Sequence, residues 1–138
     1  MAYFLSRNFA TMEEVSNILT DTTFIDGFEA AEAFLNDYCV SLKTASYTLL
    51  KETAMLKDSK CYNWLYLTLQ DVFESVLLED KDPDNPFADI IHSLSKHKEE
   101  IENGLAIIQE VLSHRYLNYN PTLSVARFLS ALNERKQI

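Results

Sequence analysis

An all-α fold is predicted, an antiparallel bundle of four main helices with a short helix before them, and three observations predict it. The 138 residues include only 2 Gly and 3 Pro, too little punctuation for strands joined by tight turns. Apolar residues recur at helical spacing over long stretches. Capping residues stand where those stretches begin. Hydrophobic residues make up 47% of the chain and charged residues 24%, a globular composition that excludes wholesale disorder and fibrous repeats. The length is that of one domain, expected to span residues 1–138.

Thr11-Met12-Glu13-Glu14 reads as a capping box, with Thr11 as N-cap and Glu14 three residues on. It opens a short helix through Val15, Ile18 and Leu19, which the Thr-rich stretch Thr20–Thr23 interrupts. Asp26-Gly27-Phe28-Glu29 repeats the capping pattern at the head of the longest helical segment. Phe28, Leu35, Leu42, Leu49 and Leu56 then recur every seven residues, an a/d seam that predicts one helix of roughly thirty residues, kinked near Ser41–Ser46. Asp58-Ser59-Lys60 is a turn, followed by a helix with Leu65, Leu69, Val72 and Val76 on one stripe.

Glu79 to Pro86 is the clearest loop, ending with Asn85 as N-cap and Pro86 at the first helical position. The next helix carries Phe87, Ile91, Leu94, Ile101, Leu105, Ile108 and Leu112 in a register that runs unbroken through Asn103-Gly104. Tyr119-Asn120-Pro121 is the last turn. A final helix follows through Leu123, Ala126, Leu129 and Leu132, and then a polar tail.

Twelve Lys and Arg against 21 Asp and Glu give a formal charge of −9. Without a dense basic stripe, nucleic-acid binding is not expected, nor docking to an anionic membrane. The chain is expected to be cytoplasmic: its N-terminus lacks the charge order of a signal peptide and no apolar run is long enough to span a bilayer. Two cysteines, Cys39 and Cys61, are too few for a disulfide framework or a zinc site.

Motifs that carry chemistry are incomplete. Asp80, Asp82 and Asp84 have the 1, 3, 5 spacing of a calcium loop, but Asn85 replaces the turn glycine and Ile91 the bidentate Glu. His92, His97 and His114 lack the paired Glu-x-x-His pattern of a carboxylate-bridged metal bundle. No Gly-rich phosphate loop or nucleophile elbow is present. Neither a cofactor nor a catalytic or metal site is expected, and the chain is read as non-enzymatic.

Charge asymmetry is the informative feature. Between Asn8 and Leu42 there are seven acids, Glu13, Glu14, Asp21, Asp26, Glu29, Glu32 and Asp37, and no Lys or Arg; from Ser113 onward the balance reverses through Arg115, Arg127, Arg135 and Lys136. An acidic surface of this kind docks a basic protein, or the chain's own basic end in a homodimer. Aromatic residues crowd at Tyr62, Trp64 and Tyr66 and at Tyr116 and Tyr119, as interface anchors or as residues of bundle ends. The expected binding residues are Glu29, Glu32, Asp37, Tyr62, Trp64 and Tyr66. The expected function is an interaction domain that binds and modulates a more basic partner as inhibitor, immunity-type protein or adaptor. The alternatives are a ligand- or metal-binding bundle using His92, His97 or the Asp80–Asp84 loop, and a structural subunit assembling through the Phe28–Leu56 seam.

Overall fold

The computed structural model describes residues 1, 3–5, 11–56, 59–113 and 121–133. They form an all-α fold with no strand among them. In chain order the helices are α1 (Met12–Leu19), α2 (Thr22–Tyr38), α3 (Leu42–Ala54), α4 (Ser59–Leu77), α5 (Ala88–Leu94), a 3₁₀ turn (Ser95–His97), α6 (Lys98–Ser113) and α7 (Pro121–Asn133).

Helix α1 begins as its sequence predicts, with the Thr11 hydroxyl accepting from the Glu14 amide at 3.1 Å. The cap of α2 falls earlier than Asp26. Asp21 stands in extended conformation and its carboxylate accepts from both the backbone amide and the hydroxyl of Thr23. The Thr-rich stretch therefore starts a helix as well as ending one. Gly27 sits inside α2 for a different reason than turning: a Cβ there would lie 2.4 Å from the Cys61 carbonyl oxygen and 2.8 Å from Trp64 Cβ. Only hydrogen at this position lets α2 and α4 approach so closely.

The segment expected as one kinked helix folds back on itself. The Asp37 carbonyl accepts from the amides of both Val40 and Ser41, closing α2. Ser41, at φ −162° and ψ 148°, then caps α3 by accepting from the Thr44 amide at 3.1 Å. The heptad repeat crosses this turn because both helices bury one face in the same interior: Phe28, Leu35 and Leu49 are all buried. The seam offered for self-assembly thus lies inside the molecule.

Helix α4 buries Leu65, Leu69, Val72, Phe73 and Val76, the expected stripe. Past it, Glu79 adopts a left-handed conformation at φ 56°, its carboxylate ion-paired with Lys98. Asn85 Oδ1 accepts from the Phe87 amide at 2.9 Å, so the expected cap forms a turn, and regular helix begins at Ala88, two residues after Pro86. Helix α6 is continuous through Gly104, as its register predicts. The interruption lies upstream at Ser95–His97, where the Ser95 hydroxyl bonds back to the Ile91 carbonyl at 2.8 Å and loosens the turn. Asp58, Asn120 and the polar tail from Glu134 onward lie outside the described residues.

The five longer helices close a ring. Helix α2 packs on α3 and α4, α4 on α6, α6 on α7, and α7 returns to α3. Phe128 of α7 is the hub at one level: its ring lies 5.7 Å from Phe34, 5.9 Å from Phe73 and 6.3 Å from Tyr66. Nearer the start of α2, Phe24 and Phe28 pack on one another and on Phe4, Trp64 and Phe87. Each fully buried Phe or Leu of these layers contributes about 1.5–3 kcal/mol.

Candidate functional site

At 100° per residue, Asp26, Glu29 and Glu32 fall on one stripe of α2, and all three are exposed. Glu13 and Glu14 on α1 and the Asp21 cap are exposed as well. Hydrogen bonds from Thr23 hold the Asp21 carboxyl below the ordinary carboxylate range. Asp37 lies apart from the stripe: it is half-buried and accepts the hydroxyl proton of Thr48 across the α2–α3 seam. It ties the two helices together instead of presenting charge outward.

The aromatic half of the expectation is corrected by burial. Tyr66 is fully buried and shares a 2.8 Å hydrogen bond with Ser124 of α7. Tyr62 is buried too, and its hydroxyl donates to the Thr53 carbonyl at 2.8 Å, joining α4 to the end of α3. Trp64 is half-buried and meets Phe24 edge-on, with centroids 5.0 Å apart. A tyrosine can enter a helical core when its hydroxyl finds a partner, and both tyrosines do. The large apolar side chains exposed around the acids are Met12 at the start of α1 and Val40 just past α2, 79% and 81% exposed. Tyr116 and Tyr119 lie outside the described residues.

The acidic loop is turn chemistry. Asp80 and Asp82 each accept the backbone amide two residues on, both at 3.0 Å, and the second oxygen of Asp82 accepts from the Tyr3 hydroxyl at 2.8 Å. Alternate aspartates are what successive Asx turns require. Ile91, at the position of a calcium loop's twelfth residue, is buried in the core. Among the described residues no group of three or more His, Cys, Asp and Glu is placed to hold a metal ion. His92 is exposed on α5, beside a cavity of about 410 Å³ that Glu79 and Asp80 also line. His97 stacks on Tyr38 at 6.0 Å, and His114 lies outside the described residues.

Both cysteines are free. Gly27 abuts Cys61, and Cys39 comes twelve residues later, at the end of the same helix. That is about 18 Å along the axis, beyond the reach of a disulfide. Cys39 is half-buried, and burial pushes its thiol pKa up against the opposing effects of Ser93 and Lys96.

One cluster had no counterpart in the sequence reading. The end of α2, the start of α3, the 3₁₀ turn and the last described turn of α7 enclose a cavity of about 510 Å³. Tyr38, Cys39, Lys96, His97 and Glu100 meet there. Roughly sixty residues separate its two halves, and only the closed helical ring brings them together. No described helix is long and apolar enough to cross a membrane. Comparison with protein-family models, with curated proteins and with solved structures gives no match.

Proposed function

We propose that this chain is a non-catalytic interaction domain that binds and modulates a more basic protein through the outward faces of α1 and α2. The observation that supports this most is the run of seven acids without a Lys or Arg between Asn8 and Leu42, six of which are exposed. Capping explains Asp21 and the acids of the first turn of α1. It does not explain Asp26, Glu29 and Glu32, which line up in the body of α2. Unlike fields speed encounter and select partners, and exposed Met12 and Val40 supply apolar contact at the margins.

The test is affinity purification of the tagged chain from its native cell at low salt, beside a variant with Asp26→Asn, Glu29→Gln and Glu32→Gln. The expected result is a stoichiometric basic protein that leaves in high salt and is retained at least about tenfold less well by the variant. Recovery of the chain alone, or equal retention by the variant, overturns the proposal.

A further inference from the structure

Helix α3 is covered on one side only. Ala45, Leu49 and Thr53 are buried in the core. At 100° per residue, Lys43, Tyr47, Leu50 and Ala54 share the opposite face, with Lys51 on its border. All five are exposed, Tyr47 by 71% and Leu50 by 46%. Seven large apolar side chains are exposed among the described residues, and four of them, Val40, Tyr47, Leu50 and Met55, belong to α3 or to the residues beside its ends. Single exposed apolar residues are ordinary, but a group of them on one helix face marks a contact surface.

Charge says what covers it. Exposed Lys43 and Lys51 form no ion pair with a described residue, and the single acid of α3, Glu52, is half-buried. Helix α2, its antiparallel neighbour, carries Asp26, Glu29 and Glu32 on its outer face and has no Lys or Arg. Both helices bury their inner faces in one interior, so the two outer faces form the outside of a single hairpin. Lys43 and Lys51 are eight residues apart, about 12 Å along the axis, and Asp26 and Glu32 six residues, about 9 Å. A basic, apolar half therefore lies beside an acidic half of similar length.

We propose that a second copy of this chain docks there, with α3 of each copy lying on the outer face of α2 of the other. A two-fold axis brings each half against its complement. Pairing α3 with α3 sets lysines against lysines, and pairing α2 with α2 sets acids against acids. Only the crossed arrangement opposes unlike charges at both contacts, and it takes Tyr47, Leu50 and Ala54 out of water. The dimer covers acids that also serve the basic partner proposed above, so the two compete; its test uses the purified chain alone and does not rest on that reading.

The test is analytical sedimentation of the purified full chain between about 5 and 500 µM in about 0.15 M sodium chloride, which screens the repulsion between two acidic chains. The average mass should rise with concentration from one chain to two and no further. Tyr47→Ser with Leu50→Ser should weaken the dimer at least about tenfold, with unchanged circular dichroism because both side chains are exposed. Lys43→Glu with Lys51→Glu should abolish self-association, and so should Asp26→Lys with Glu29→Lys and Glu32→Lys. An equimolar mixture of these two charge-reversed chains should restore dimers to within about threefold of the natural affinity, since both crossed contacts again oppose unlike charges. Misfolded chains would not rescue one another in this way. The proposal is overturned by a one-chain mass at every concentration, which leaves the α3 face to a different, acidic protein. It is overturned equally by a mass that grows past two chains, by an unaltered dimer in any of the variants, or by a mixture that stays monomeric.

Discussion

Two glycines occupy helix interiors, where glycine costs about 1 kcal/mol relative to alanine, and each marks a place where helices nearly touch. At Gly104 the obstacle to a Cβ is Leu132 Cδ2 at 2.7 Å, with rings of Phe128 and Phe73 at 3.2 Å. A leucine tip can rotate away. At Gly27 the obstacle is a backbone oxygen at 2.4 Å, and only separation of α2 from α4 relieves it. Gly104→Ala should therefore lose no more than about 2 kcal/mol, and Gly27→Ala about 3 kcal/mol, in urea unfolding. Equal losses would contradict the difference between side-chain and backbone obstruction. Asp21 gives a prediction with a pH signature. Its folded pKa lies below the ordinary 3.8, so its contribution is present above that value and is lost as pH falls through the lowered one. Asp21→Ala should cost about 1 kcal/mol at neutral pH, with the gap to the natural chain closing in acid. Asp21→Asn caps while uncharged and should show little of that pH dependence.

Among the elements, periodicity identified what is buried better than where the chain turns. Phe28, Leu35 and Leu49 keep heptad spacing across Cys39–Ser41, because a helical hairpin can preserve the phase of its buried face. The local cause of the turn is Ser41, whose hydroxyl replaces a backbone carbonyl in satisfying Thr44. Ser41→Ala should cost about 1 kcal/mol, measured by thermal or urea unfolding; no loss would mean that packing alone sets the hairpin. The unbroken apolar register through Gly104 predicted the continuity of α6 there, whereas the serine-bonded turn at Ser95–His97 carried no sign in the sequence. The exposure of Glu29 and Glu32 was legible because charged side chains favour water; the inward bond of Asp37 to Thr48 was not, since it depends on the α2–α3 hairpin. The burial of Tyr62 and Tyr66 was not, since it depends on the Thr53 carbonyl and on Ser124, nine and fifty-eight residues away. The cavity at Tyr38 was out of reach for the same reason.

Over the whole molecule, a charge of −9 sets many like charges against one another. The ion pairs Glu79–Lys98 and Glu110–Arg127 are exposed at the surface, where solvent and salt screen such pairs and leave them little weight in stability. Salt weakens both attraction and repulsion, and repulsion predominates in this chain. The urea midpoint should accordingly rise between about 0.01 and 0.5 M sodium chloride at neutral pH. A falling midpoint would mean that local pairs outweigh the net field. The same field is what a basic partner would neutralise, so its complex should weaken over the salt range in which the free chain gains stability.

Trp64 is the only tryptophan, and it leans edge-on against Phe24 in the contact between α2 and α4. Its fluorescence is consequently a single-site optical gauge: a red shift signals water entering that contact. Tyr38 lies fourteen residues, or about 21 Å, further along α2 from Phe24. An event confined to the far end of α2 should leave the indole emission unchanged, while any event that pries the first half of α2 from α4 should change its colour.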